Sequence, residues 1–455
     1  MSKTIDFVQG SAGAYQVFEG DHITKKAVSN PLLFLTNLSK RGDVVRYTTP
    51  YGRVHLINHP DHIRHVFQSG NYIRGSMLKM VLGEGLLASE GPYWRSQRRL
   101  MQPAFQHERI APLGTMMTEI TQGQFERWES HTRSGRPVNM EKEMTDLTLT
   151  IIGKTLFGID WSDQLDNLRE AVTTLVDDAG YFLRTLVALP YQIDPSRNRR
   201  FADALRAVDQ IVYQAIDERR RSQERFDDLL SILLSHGDKE SCVGLNDRQL
   251  RDEFVTMLLA GHVTTANMLA WTWYLLSQHA VIEQRLHDEL ESVLGGRLPC
   301  VQDLPKLQYT RMVLQETLRL YPPVWFIARR TVRADTIGRY HFSPNATVVV
   351  SSYLTHRHPD YWEAPAQFIP ERFLPERSTG RHPLAYFPFG GGQHTCIGNH
   401  LAMLEGQLVL ATIAQRYRFC VVPGKAVEPE PVLTLKVRDG LPMTVEEHSR
   451  QKLRP

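Results

Sequence analysis

Along most of this chain the apolar positions recur every three or four residues. That spacing lines them up on one face of a helix. It predicts helices near 93–102, 110–133, 140–157, 164–180, 198–224, 247–279, 281–294 and 307–320. Breaks fall at Pro103, Gly135, Pro190, Pro195, Gly237 and Pro305, residue types that punctuate helices. Strand-like segments come first at 44–48 and 53–57, joined through Pro50-Tyr51-Gly52, and predict a hairpin. His59-Pro60 then opens a helix toward Ser69, and residues 70–90 read as a loop with Gly83 and Gly85. Residues 180–197, with Phe182, Leu183, Leu186, Val187 and Leu189, read as an apolar loop between two helices and are expected to form a lid. Strand signals return at 330–332, 348–350, 432–437 and 442–446. The expected fold is therefore mainly α with a small β part. Pairing between strands from the two ends would tie 1–455 into a single domain.

The stretch from Phe254 to Leu276 is long and apolar enough to resemble a membrane span. Thr256, Gly261, Thr264, Thr265, Asn267 and Thr272 interrupt it, so it is expected as a buried core helix and not as a span. Met1 to Gly20 is polar and mixed, and neither a leader nor an anchor is expected there. A formal net charge of +3 is too mild to point to nucleic acid. The four cysteines, Cys242, Cys300, Cys396 and Cys420, match no zinc spacing and are too few for a disulfide framework. A reducing cytoplasm is the expected location.

Candidate chemistry concentrates in Phe389-Gly390-Gly391-Gly392-Gln393-His394-Thr395-Cys396-Ile397-Gly398. The glycines free the backbone for positive φ and for close approach to a flat ligand. Helical spacing resumes just after Cys396, which places the thiol at a helix start where free N–H groups favour a thiolate. A thiolate on such a loop suits an axial position on haem iron. Trp94 and Arg98 lie one helical turn apart. Glu316 and Arg319 form an i,i+3 pair, and Pro370-Glu371-Arg372-Phe373 follows downstream. Gly261 and Thr264 sit in the middle of the long helix, where a glycine costs about 1 kcal/mol against alanine and serves either a ligand's approach or close helix packing.

The run F-G-x-G-x-H-x-C-x-G resembles the haem-binding signature of the cytochrome P-450 superfamily, with Phe389, Gly392, His394, Cys396 and Gly398 all in place. The other motifs follow in family order across essentially the whole chain. The resemblance implies haem b held by Cys396, with Trp94, Arg98, His394 and one of Arg329 and Arg330 on its propionates. Arg330 is preferred from its spacing before Asp335. It implies that Ala260 and Gly261 lie over the iron and that Thr264 organises water for proton transfer, with Asn267 on roughly the same face. It implies a structural network of Glu316, Arg319 and Arg372. Two departures stand out: Val263 where the family usually has an acid, and His358 where it usually has Asp.

The resemblance further implies a monooxygenase that inserts one oxygen atom from O2 into an apolar small molecule of lipid, terpenoid or polyketide type. Its pocket would be lined by the 72–88 loop, the 180–190 lid, Met257, Ala260, Val324, Trp325, Ala328, Leu433, Thr434 and Leu435. A separate ferredoxin or flavodoxin would supply electrons, docking near Arg95 and Arg99. A peroxide-driven peroxygenase or an O2-independent isomerase is the alternative that Val263 keeps open. A non-enzymatic haem sensor ranks behind both.

Overall fold

The computed structural model describes residues 17–18, 30–49, 52–75, 78–188, 194–222, 228–235 and 245–448, with 17–18 and 182–188 as backbone alone. Most of the N-terminal stretch and residues 189–193 of the expected lid lie outside these. Helices dominate, and their boundaries follow the apolar periodicity and local capping chemistry. The central helix, Asp247–Gln278, opens with a reciprocal capping box between Asn246 and Gln249. It runs 32 residues, about 48 Å at 1.5 Å per residue. Phe254, Leu258, Leu269 and Trp271 are fully buried along it, so its apolar composition belongs to a core and not to a bilayer. Met140–Leu156 packs closely alongside, with Thr148 donating to the His262 carbonyl at 3.2 Å.

The expected lid differs in one respect. The helix starting at Leu165 continues to Ala188, and Pro195 starts the next one, so much of 180–197 is helical. An apolar run reads the same way in a helix as in a loop. Residues 70–90 also carry more structure than a loop: a short strand at Tyr72–Ile73 and a helical turn at Lys79–Leu82. This segment docks on the central helix through backbone N–H groups. Glu84 N–H donates to Asp252 and Leu86 N–H to Glu253, each at 2.9 Å.

Among the described residues the main sheet orders Val17–Phe18, Val44–Thr49, Gly52–Ile57, Thr347–Val350, Ile327–Thr331 and Tyr72–Ile73. The hairpin pairs Val44 with Ile57, and its second strand runs parallel to 347–350. The N-terminal strands thus join the segment after the Glu316 helix. The expected pairing of early with late strands holds for 347–350 and, through it, 327–331, whereas Pro442–Glu447 lies against Tyr417–Val421 and Val138–Asn139 in a separate sheet.

Candidate functional site

The cysteine loop owes its shape to two glycines. Gly390 and Gly392 have φ of 73° and 69°, in the left-handed region. A Cβ at Gly392 would lie 2.0 Å from the Phe67 carbonyl oxygen, so no other residue fits there. The loop closes where Cys396 N–H donates to the Phe389 carbonyl at 2.9 Å. Gly398 then caps the helix Asn399–Ala414. Cys396 is solvent-accessible. Yet burial pushes its thiol pKa up, outweighing the Gly398 N–H and the Arg98 charge that pull it down. A sulfur that solvent reaches while protein surrounds it faces an interior space. The donors expected at the helix start are thus present, and desolvation of the sulfur opposes them.

The central helix shows a matching window. It is buried from Leu250 to Leu258 and again from Thr265 to Trp273, but Leu259, Ala260, Gly261, Val263 and Thr264 are only partly covered. Thr264 Oγ1 donates to the Ala260 carbonyl at 2.9 Å. The glycine has a packing reason: a Cβ on Gly261 would meet Ile152 at 2.7 Å. Close helix–helix packing therefore accounts for this glycine without a ligand. Asn267 has a partner of its own. Its amide donates to Thr434 Oγ1 at 3.0 Å, in a cavity wall that also holds Val263, one turn earlier.

A cluster of cations stands at the far end of the loop. Trp94 is buried, its ring 4.2 Å from that of His394. Arg98 donates to the Thr395 carbonyl at 2.9 Å. The strand Ile327–Thr331 settles the choice between its two arginines. Arg329 interacts electrostatically with Glu90, Arg74 and His394, and burial lowers its pKa. Arg330 is exposed on the opposite face of the strand. The preference for Arg330 is corrected to Arg329, because strand register and not sequence spacing decides which side faces inward.

Sequence reasoning missed Arg74. It donates to the Leu86 carbonyl at 2.7 Å, and burial together with Arg329 brings its pKa to about 10. No motif marks it. Its only signal is a basic residue just before the 78–90 segment that docks on the central helix. Glu90 is the acid here. It receives the Arg74 N–H at 2.8 Å and lies 3.3 Å from His394 Nε2. Burial works against its charge, yet His394 and the Arg74 N–H hold its carboxyl below the usual range. Among the described residues Arg98 and Arg329 have no ion-pair partner, and the buried Nδ1 of His394 has no hydrogen bond. The cluster is short of anions, and this fits the carboxylates of a propionate-bearing ligand.

Behind the loop the Glu316 network is complete. Arg319 makes two hydrogen bonds of 2.7 Å to Glu316, and both side chains are fully buried. Arg372 donates to Glu316 at 3.2 Å. His356, missed from sequence, joins this network to the loop. Its carbonyl accepts from Arg319 at 2.9 Å, and its Nε2 accepts the Phe387 N–H at 2.8 Å. At the His358 departure, the ring Nδ1 accepts the Asp360 N–H at 3.3 Å, so the turn keeps a side-chain acceptor.

The expected pocket residues divide. Val324 and Ala328 are exposed and Leu433 is half-buried. Met257, Trp325 and Leu435 are packed in the core, with Leu435 at 0% exposure and Trp325 donating to the Val432 carbonyl at 3.0 Å. Period-2 and helical positions alone do not tell a pocket wall from the layer behind it.

The chain belongs to the cytochrome P450 family, whose model matches residues 20–441. It is a P450-type oxidoreductase that uses haem iron, of the monooxygenase kind. It is 37% identical to cyclooctat-9-en-7-ol 5-monooxygenase of Streptomyces melanosporofaciens over 402 residues, covering 87% of this chain and 86% of that protein. It is 34% identical to cyclooctatin synthase of the same organism, covering 89% of each. Pentalenene oxygenase of Streptomyces avermitilis is 30% identical, covering 89% of this chain and 90% of that protein. The crystal structure of the cytochrome P450DA heme domain shares the fold, with a TM-score of 0.83, 24% identity and 94% of each chain covered.

Proposed function

We propose that residues 1–455 act as one haem b monooxygenase domain, with Cys396 as the axial thiolate, on a cyclic terpenoid or similarly apolar small molecule. The observation that carries this reading is the pairing of an accessible but protein-enclosed Cys396 with two cations that lack an ion-pair partner among the described residues, Arg98 and Arg329, beside the unpartnered buried Nδ1 of His394. When bound, haem activates O2 with two electrons from a donor protein. The chain's own residues hold and exclude. Arg98, Arg329, His394 and Trp94 would bind the propionates, Arg being suited by its planar fork. Ala260 and Thr264 would form the wall above the ring, and the Thr264 hydroxyl would hold a water for proton transfer. Val324, Ala328 and Leu433 would present apolar surface to the substrate.

Three relatives carry names of cyclic compounds, which supports terpenoids over fatty acids. Arg95 and Arg99 are exposed on the Gly91–Met101 helix and would receive an acidic ferredoxin or flavodoxin in the cytoplasm. The retained Thr264 favours O2 over a peroxide-driven reaction. The test is the absorption spectrum of the reduced, carbon monoxide-treated protein, followed by a ligand screen read from the haem absorption shift. A thiolate-type spectrum lost in Cys396→His is expected, together with shifts from cyclic terpenoids. A histidine-type spectrum in the unaltered protein would refute the assignment.

A further inference from the structure

The Glu316 network and the cysteine loop come from different parts of the chain, and one side chain spans them. His356 ends the short helix Ser352–Thr355, just after the strand Thr347–Val350. That strand pairs with Ile327–Thr331, which carries Arg329. The backbone of His356 is held on both sides. Its N–H donates to the Ser352 carbonyl at 2.9 Å, and its own carbonyl accepts from Arg319 at 2.9 Å. Its ring is fully buried against the rings of Tyr386 and Phe387, each with its centroid 5.1 Å away. From there Nε2 accepts the Phe387 N–H at 2.8 Å. The Phe387 carbonyl accepts the Gly390 N–H at 3.0 Å where the loop turns, and the Cys396 N–H closes the same loop on Phe389. Among the described residues the network makes no hydrogen bond to the chain nearer to Cys396 than this one. We propose that His356 is a positioning residue for Cys396, setting through Phe387 where the loop stands against the strand that carries Arg329.

Histidine suits this task where an apolar side chain does not. A buried N–H without an acceptor is costly, so the Phe387 amide needs a partner here. With Nε2 accepting, the one proton of the neutral ring sits on Nδ1. Protonating Nε2 would turn the acceptor into a donor facing another N–H. Burial and the charges of Arg319 and Arg357 oppose that, and hold the ring well below the usual histidine range. The ring is thus a fixed acceptor. Its placement matters because the thiol and the propionate-binding cations have separate supports: Cys396 rides on the loop and Arg329 on the sheet. A ligand that must meet both tolerates little slack between them.

The proposal rests on Cys396 as the axial ligand, and the experiment keeps the two apart. His356→Phe keeps a ring and deletes the acceptor. His356→Gln restores an acceptor with about the reach of Nε2, whereas His356→Asn falls short of it. In haem-free protein, hydrogen exchange at the Phe387 amide should be about tenfold or more faster in His356→Phe and His356→Asn, and near the unaltered rate in His356→Gln. In haem-loaded protein, the first two variants should retain haem about tenfold less well on gel filtration, the size expected for an outer partner of a metal ligand. Their remaining haem should show less of the thiolate-type carbon monoxide spectrum, and His356→Gln should recover both readouts. Phe419→Leu, a core change in the separate strand Tyr417–Val421, should lower the Tm without moving exchange at Phe387 or the spectrum. If His356→Phe gives no soluble protein, His356→Asn against His356→Gln decides on the same readouts. Failure of His356→Gln to recover them, or an equal spectral change in Phe419→Leu at equal loss of Tm, would reduce His356 to packing. A thiolate-type spectrum that the acceptor-deleting variants leave intact sinks this proposal alone. A histidine-type spectrum in the unaltered protein sinks the Cys396 reading and this one with it.

Discussion

Two sets of buried charge hold the cysteine loop, one at each end, and they are finished differently. At the Phe387 end, Arg319 uses all five of its N–H donors: three hydrogen bonds go to backbone carbonyls of His356, Pro365 and Gln367, and two to Glu316. Glu316 in turn also receives Arg372 and the Ile369 N–H. At the His394 end, one acid serves Arg74 and His394, while Arg98 and Arg329 have no anionic partner among the described residues. Both ends look alike as lists of arginines. The closed set supports the backbone, because Arg319 meets each of its donors and Glu316 its counter-charges within the chain. The open set leaves Arg98 and Arg329 with backbone carbonyls as their partners and no counter-charge, which an incoming anion would supply.

The largest expected effect breaks the closed set. Glu316→Ala strands Arg319 and Arg372 in the core and should cost about 3–5 kcal/mol, visible as loss of soluble protein or a steep fall in Tm. The open set should behave oppositely. Arg329→Ala should leave the haem-free Tm within a few degrees and weaken haem retention about tenfold or more, the size of one charge-assisted bond. Arg330→Ala should change retention less than twofold. Gel filtration with haem absorbance measures both. Equal losses from Arg329→Ala and Arg330→Ala would break the comparison.

The loop between the two sets gives a sharper pair. Gly392→Ala places a Cβ 2.0 Å from a backbone oxygen at a φ of 69°. It should cost about 2–4 kcal/mol and abolish haem retention, since neither the backbone nor the Phe67 carbonyl can yield. Gly398→Ala meets only Phe105, at 3.8 Å, without a positive φ. It should cost less than about 1 kcal/mol. Thermal melts of the two variants decide this.

What the sequence showed and hid follows the same division. The Glu316–Arg319 pair was legible because both residues lie one helical turn apart on a single helix. The central helix was legible because its periodicity runs uninterrupted beyond a capping box. Arg329 was not separable from Arg330, since a strand assigns alternate residues to opposite faces and the register is set by Thr347–Val350, far away in sequence. Arg74 was hidden because its role comes from where the 78–90 segment docks. Gly261 was ambiguous because packing and ligand approach demand the same residue. Trp325 and Leu435 are buried, which apolar character alone does not foretell, since it does not distinguish a lining from the core behind it. The strands Asp335–Ile337 and Tyr340–Phe342 went unseen because three residues carry too little alternation to register.

The smallest expected effect tests the open set directly, without haem. If Arg98 and Arg329 lack a counter-charge and the Nδ1 of His394 lacks a partner, a small dianion should bind where propionates would. Stabilisation by a ligand follows RT ln(1 + [L]/Kd), about 1.4 kcal/mol at ten times Kd. With a millimolar Kd, tens of millimolar sulfate should raise the Tm of the haem-free protein by a few degrees. Sodium chloride at matched ionic strength controls for screening and should give a smaller rise. Arg329→Ala should remove most of the difference between the two salts, because the site loses a cation that has no ion-pair partner among the described residues. Arg330→Ala, exposed on the other side of its strand, should leave the difference intact. The closed set predicts no response of its own, since Arg319 has no donor left to offer. A sulfate effect of equal size in Arg329→Ala would mean that the cations at the His394 end are already satisfied, and the contrast between the two ends would fail.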